Sequence, residues 1–155
     1  MPHFSVRIAS RLSPEQAWSR VLDLHSHTAV IPLTTLTGDA MTASGLEPGS
    51  RFVARTGLGP VGFDDVMVVD EITAPTDEAP SRTLIHKEGR LVRGSIELRV
   101  SPTSTGSMVA WDQQISIAGL PGVLDPVVAR VAKVAYGQTL RALLEREPEG
   151  AARAS

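Results

Sequence analysis

His86 is the side chain of this sequence best suited to transferring protons, because histidine titrates near neutral pH. It lies in a β-prone run in which Leu84, His86 and Glu88 share one face of a strand. The other face carries Thr83, Ile85 and Lys87. The pattern leaves open which face points inward. Directed inward, His86 would be a candidate catalytic group; directed outward, it would be an ordinary hydrogen-bonded sheet histidine.

Two consecutive carboxylates, Asp64 and Asp65, fall within another β-prone run. Because successive side chains of a strand point to opposite faces, one carboxylate must face inward. That carboxylate could pair with Arg51 or Arg55 on the preceding strand. Inside a pocket, such a pair would either orient the polar head of a ligand or be purely structural.

Gln113 lies among apolar neighbours, since the last β-prone run places Val109, Trp111, Gln113 and Ile115 on one face. This face is the expected inward one. A buried amide needs hydrogen-bond partners from protein, water or ligand.

The large aromatic side chains of the sequence are expected to pack the core or to form a pocket wall. They are Trp18, Phe52, Phe63 and Trp111, with Tyr136 flanking the last helix.

Other kinds of chemical site find little support in the sequence. The chain has no cysteine, which excludes a thiolate zinc site, a disulfide framework and a catalytic cysteine. His25 and His27 would diverge by about 200° on a helix, so we expect solvated or capping roles and no metal. No serine lies in a G-x-S-x-G turn. The glycine pattern over 57–62 is followed by strand-like residues, which predicts a hairpin and no dinucleotide cofactor.

Length and composition place the chain among ordinary globular proteins. Its 155 residues, 42% of them hydrophobic, suit one domain with its own core. A net charge of −2 gives no electrostatic footprint for nucleic acid. No apolar stretch approaches the 18 residues of a membrane span, and the N-terminus lacks the pattern of a signal peptide. We therefore expect a cytoplasmic protein, either a monomer or a homodimer.

Hydrophobic periodicity predicts the order of strands and helices along the chain. A strand over 3–8 is followed by a helix over 14–23, whose start carries the capping pattern Ser13-Pro14-Glu15-Gln16, and by a short helix over 26–31. A long helix is predicted over 123–146, with apolar residues recurring at three and four, and a frayed tail over 147–155. Between the helices, six strands separated by short breaks predict an antiparallel meander. Those strands span 35–44, 50–56, 62–72, 82–87, 92–100 and 108–117.

This order predicts an α+β fold, because a helix of about 24 residues can bury its apolar stripe only against a large surface. A curved antiparallel sheet of about seven strands would wrap around the long C-terminal helix. The two short helices would follow the first strand. We expect one domain over 1–146.

Several phrases of the sequence resemble the START-like superfamily, which includes birch-pollen-allergen relatives and polyketide cyclase/dehydrase-like proteins. The start of the first helix in this superfamily is similar to residues 13–23. The start of its third strand is similar to Gly49-Ser50-Arg51-Phe52, and the start of its last strand is similar to residues 106–111. Leu120-Pro121-Gly122 fits the start of its final helix. The resemblance implies the helix-grip fold and a deep, mostly apolar cavity between the long helix and the sheet. Members of the superfamily bind lipids, polyketides, hormones or quinone-like molecules there.

The resulting hypothesis is a binding domain for a hydrophobic small molecule, without a cofactor. The alternatives are a polyketide cyclase/aromatase or dehydratase, with His86 or an inward aspartate as acid or base, and a protein-interaction domain with a filled cavity. The candidate ligand-binding residues are Phe52, Arg55, Phe63, Asp65, His86, Trp111, Gln113, Val128, Ala132 and Tyr136.

Overall fold

The computed structural model describes residues 2–31, 33–58 and 60–145. Its seven strands are β1 (His3–Ser10), β2 (Thr34–Gly38), β3 (Arg51–Leu58), β4 (Val61–Thr73), β5 (Arg82–Glu88), β6 (Val92–Thr103) and β7 (Gly106–Ile117). Its α-helices are α1 (Pro14–Val21), α2 (Leu24–Val30) and α3 (Asp125–Glu145), and a 3₁₀ turn over Gly122–Leu124 leads into α3.

The strands form one antiparallel sheet in the order β1-β7-β6-β5-β4-β3-β2. Strands β2 to β7 are a meander, as the short breaks predict, and β1 pairs with β7 at the far edge. The inward-facing residues of one strand lie opposite inward-facing residues of the next strand. For example, Ile85 lies opposite Ile96, and Leu98 lies opposite Trp111. The sheet curls around α3, which confirms the predicted helix-grip α+β fold.

Local sequence explains where α1 and α2 begin. Ser13 accepts the backbone N–H of Gln16, while the Gln16 side chain accepts the N–H of Ser13, which completes the predicted capping box. Asp23 caps α2 by accepting the backbone N–H of His25. The second helix therefore starts two residues earlier than the predicted 26, because Asp23 provides its cap.

The predicted strand over 35–44 is too long, because β2 ends at Gly38. Beyond it the carboxylate of Asp39 accepts the backbone N–H of Arg51, and the chain turns away from the sheet. Ala43 and Leu46 in this connection are buried against the core. Ala43, which falls within the predicted strand, and Leu46 beyond it thus serve packing rather than strand pairing.

The apolar stripe of α3 is only partly buried. Leu140, Leu143 and Leu144 are in the core, but Val127 and Val131 are 57% and 63% exposed. The prediction of one broad buried face is therefore wrong for the first half of the helix. There α3 packs against the core through Val128 and Ala132, whereas the middle of the helix lines a cavity with Ala135, Tyr136 and Thr139. Neither the predicted end of the helix at 146 nor the tail lies within the described residues.

Candidate functional site

A cavity of about 410 Å³ lies between α3, the two short helices and the concave face of the sheet. This volume falls within the range of small-molecule binding sites. Its walls are predominantly apolar, and Phe63, which is 38% exposed, stands at its rim. The residues that line it include Leu24, Leu36, Phe52, Ala54, Phe63, Met67, Ile85, Val92, Ile96, Trp111, Ile115 and Ala135, together with the polar Asp65, His27, Thr34, Thr56, Tyr136 and Thr139.

One wall of this cavity holds a buried ion pair. The Lys87 ammonium donates to the Asp65 carboxylate, and the Lys87 side chain is fully buried. The ammonium also lies 3.9 Å from the Met67 sulfur and faces the Tyr136 hydroxyl. Asp65, Met67 and Tyr136 all line the cavity. The lysine therefore sits directly behind the cavity wall, and we call these four residues the polar cluster.

Strand register brings the two charges together. Lys87 on β5 lies opposite Met67 on β4, and Asp65 is two residues before Met67 on the same face. Diagonal pairs of this kind are within reach of a long side chain. The inward carboxylate expected from the sequence is thus Asp65, but its partner is Lys87 and not an arginine.

The polar cluster keeps Lys87 charged. Burial alone would lower the pKa of the Lys87 ammonium, but the facing Tyr136 and Asp65 outweigh this and hold that pKa above its ordinary value. Lys87 is therefore an ammonium at neutral pH, and it acts as a hydrogen-bond donor and counter-charge rather than as an amine nucleophile.

His27 also lines the cavity, although the sequence predicts a solvated or capping role. Its Nε2 lies 2.6 Å from the carbonyl oxygen of Val21, the last residue of α1, and donates to it. Desolvation by burial lowers the pKa of His27 despite this hydrogen bond and the nearby Asp23. His27 thus caps the end of α1 as a neutral imidazole while one side of it faces the cavity.

Two aromatic contacts anchor the middle of α3 to the sheet. The ring of Tyr136 stacks on Trp111 at a centroid distance of 5.5 Å and lies 5.4 Å from the ring of Phe4. Gln113, 1% exposed on the inward face of β7, accepts a 3.0 Å hydrogen bond from the Trp111 indole N–H. Gln113 does not line the cavity, but it fixes the orientation of a side chain that does.

Two expected cavity residues lie on the outer face of the sheet instead. Arg55 is directly opposite Asp64 and pairs with it at 2.9 Å in a half-exposed position. His86 shares the outward face of β5 with Glu88, because Thr83, Ile85 and Lys87 occupy the inward face. His86 therefore cannot act as an acid or base inside the cavity. Val128 and Ala132 pack against the core beside the cavity without lining it.

On the outer face, His86 bridges two carboxylates. Its Nδ1 lies 2.7 Å from Asp70 and its Nε2 lies 2.8 Å from Glu88, which also pairs with Arg51. The hydrogen bond to Glu88 raises the pKa of His86 most; partial desolvation opposes this, and Asp70 adds to the rise. Among the described residues, no group of three or more His, Asp or Glu side chains is arranged so that it could hold a metal ion.

We expect the imidazole of His86 to titrate above the ordinary histidine value, and Glu88→Gln to lower its midpoint. Because the folded pKa is raised, the contribution of His86 to stability is complete below the unfolded pKa and is lost as pH rises through the folded one. NMR of the ring resonances across pH 5 to 9 measures the midpoint. Glu97→Gln, on the same face without contact to His86, is the control. An unchanged midpoint in Glu88→Gln would refute the bridge.

The model of the family described as polyketide cyclase/dehydrase and lipid transport matches residues 1–146. The chain belongs to this family. The match spans all the elements described above and agrees with the resemblance seen in the sequence. Among curated proteins, none matches this sequence.

Solved structures share the fold at low sequence identity. TTHA0849 from Thermus thermophilus is 15% identical with a TM-score of 0.69, over 93% of this chain and 95% of that one. Ara h 8.0201 is 13% identical with a TM-score of 0.66, over 93% and 98%. DynU16, from the dynemicin biosynthetic locus, is 16% identical with a TM-score of 0.61, over 96% of this chain but 49% of DynU16. These likenesses concern the fold alone.

Among the described residues, no helix combines the length and the apolar character needed to cross a bilayer.

Proposed function

We propose that this protein binds a hydrophobic small molecule, such as a lipid, an isoprenoid or a polyketide-like compound, in the cavity beneath α3. The observation that carries the proposal is a cavity of about 410 Å³ with mostly apolar walls, one of which holds the buried ion pair of Asp65 and Lys87. Each 100 Å² of apolar surface that a ligand buries there contributes about 2.5 kcal/mol to binding. The polar cluster would orient one end of the ligand.

The membership of the chain in a cyclase/dehydrase and lipid-transport family supports this proposal. The open cavity also disfavours the third interpretation, in which side chains fill it and the domain serves only protein interactions. A cytoplasmic location and a monomeric or homodimeric state remain predictions.

Native mass spectrometry of the purified protein, with organic extraction of any bound molecule, tests the proposal. We expect a near-stoichiometric adduct on the 16.5 kDa chain, or, after delipidation, a rise in Tm with members of a lipid and polyketide panel. The same spectra report the oligomeric state. A clean apo mass together with no thermal shift across the panel would contradict binding.

The polar cluster also supports a second candidate, a cyclase/aromatase- or dehydratase-type enzyme acting in the same cavity. Asp65 is a carboxylate on the cavity wall, as a general base requires, and Lys87 supplies the compensating charge. General acid–base catalysis contributes about 10²- to 10⁴-fold. If the protein is such an enzyme, Asp65→Asn should reduce product formation from poly-β-carbonyl or β-hydroxy substrates by about that factor, whereas Asp64→Asn should not.

A further inference from the structure

We propose that the cavity selects a ligand whose polar end is a neutral hydrogen-bond-donating hydroxyl, an alcohol or a phenol, and that Asp65 is the residue that receives it. This inference rests on the proposed function, because it assigns the chemical class of the head group of the bound molecule. It is carried by the hydrogen bonding and the charge balance of the polar cluster.

Asp65 presents an unused acceptor. Its Oδ2 accepts from Lys87, whereas its Oδ1 is buried and has no hydrogen-bond partner. An ionised carboxylate accepts hydrogen bonds and donates none. Leaving such an atom unpaired in a buried position is unfavourable. The Asp65 side chain is 13% exposed and lines the cavity, so a small rotation of the carboxylate would let Oδ1 accept a hydrogen bond from a ligand donor.

The charge at this wall is already balanced. Asp65 is the one carboxylate among the described lining residues, and Lys87 directly behind it supplies one positive charge. His27, which also faces the cavity, is neutral because burial lowers its pKa. A ligand carboxylate would place a second negative charge beside Asp65 and offer no donor. A ligand ammonium would place a second cation close to Lys87, and either charge would be poorly solvated among apolar walls.

A neutral hydroxyl provides the hydrogen-bond donor that Asp65 lacks and preserves the charge balance. It donates to the Asp65 carboxylate without changing the net charge of the polar cluster, while the rest of the molecule contacts apolar side chains such as Ile96 and Ile115. Lys87 acts here as a positioning residue, because the cavity is lined by its three partners and its own side chain is fully buried.

The test uses three probes of matched chain length: 1-decanol, methyl nonyl ether and decanoate. The alcohol and the ether contain the same numbers of carbon and oxygen atoms, but only the alcohol can donate. Isothermal titration calorimetry at pH 7 should give a dissociation constant for 1-decanol about tenfold or more below that of the ether. Decanoate should bind weakest of the three.

Asp65→Asn changes the prediction for the anion. Removing the carboxylate charge leaves the Lys87 ammonium without a counter-charge, so decanoate should gain at least about tenfold relative to 1-decanol. Asp64→Asn, one residue away on the outer face, should leave the order of the three probes unchanged. If the Asp65 variant does not fold, the wild-type comparison of alcohol and ether decides the question alone.

The two proposals fail in different ways. If none of the probes binds, the cavity is not an apolar ligand site and the proposed function fails. If they bind with equal affinity, or if decanoate binds tightest to the wild-type protein, the cavity is a ligand site but the assignment of a neutral hydroxyl is overturned.

Discussion

Replacing Asp65 with asparagine should lower the free energy of unfolding by about 3–5 kcal/mol, because it leaves the fully buried Lys87 ammonium without its counter-charge. The amide oxygen can still accept a hydrogen bond from Lys87, but it carries no charge to compensate the desolvated cation. Urea unfolding followed by circular dichroism at pH 7 measures the change.

Two variants separate charge loss from other effects of this substitution. Asp64→Asn makes the same chemical change on the outer face, where the pair with Arg55 is half exposed, and should cost at most about 1 kcal/mol. Adding Lys87→Met to Asp65→Asn removes the unpaired buried cation and should recover most of the free energy of unfolding that Asp65→Asn loses. If Asp64→Asn and Asp65→Asn destabilise equally, the ion pair is not buried as described.

Filling the cavity should abolish ligand binding while the fold survives. Ala54 lies on the inward face of β3 and lines the cavity, so a phenylalanine there would place its ring in space that the ligand needs. We expect Ala54→Phe to weaken binding of 1-decanol by more than about tenfold and to cost no more than the roughly 1–3 kcal/mol typical of added core volume. Calorimetry and urea unfolding measure the two effects.

The matched control is Val53→Phe. Val53 precedes Ala54 on the same strand and points to the opposite face of the sheet. This variant should leave the affinity for 1-decanol unchanged within about twofold. Equal loss of binding in both variants would mean that β3 tolerates no aromatic residue, and undiminished binding in Ala54→Phe would place the ligand elsewhere.

The strands with one clearly apolar face could be oriented from sequence alone. In β7, Val109, Trp111 and Ile115 outnumber the polar members of their face, so Gln113 was correctly expected inside. In β6, Ile96 and Leu98 alternate with polar residues in the same way, and both are buried on the inward face. Alternation determines the face in these strands because apolar burial strongly favours one of the two choices.

The polar cluster could not be found this way, because both faces of β4 and β5 are mixed. The pairing of these strands shifts at a bulge between Val69 and Glu71, so that Lys87 pairs with Met67. Simple counting back from the β4–β5 connection would place Lys87 opposite Val68 instead. A lysine is also among the residues least often buried. Its inward position becomes understandable only when Asp65 is recognised as its diagonal partner.

The long helix α3 shows another difference between sequence and structure. A helix whose apolar residues recur at intervals of three and four is expected to pack its apolar face against the sheet. In α3 the second half does so through Leu140, Leu143 and Leu144, whereas Val127 and Val131 in the first half are exposed. Periodicity predicts an amphipathic helix, but it does not show which part of the apolar stripe the rest of the fold covers.

Methyl NMR of protein labelled at its four methionines tests most directly whether an apolar molecule enters the cavity. The Met67 sulfur lies in the cavity wall beside Lys87, whereas Met108 lies on the outward face of β7. Titration with 1-decanol should shift the Met67 methyl signal saturably and leave that of Met108 unchanged. An unmoved Met67 signal at saturating 1-decanol, or equal shifts at both methyls, would contradict binding in this cavity.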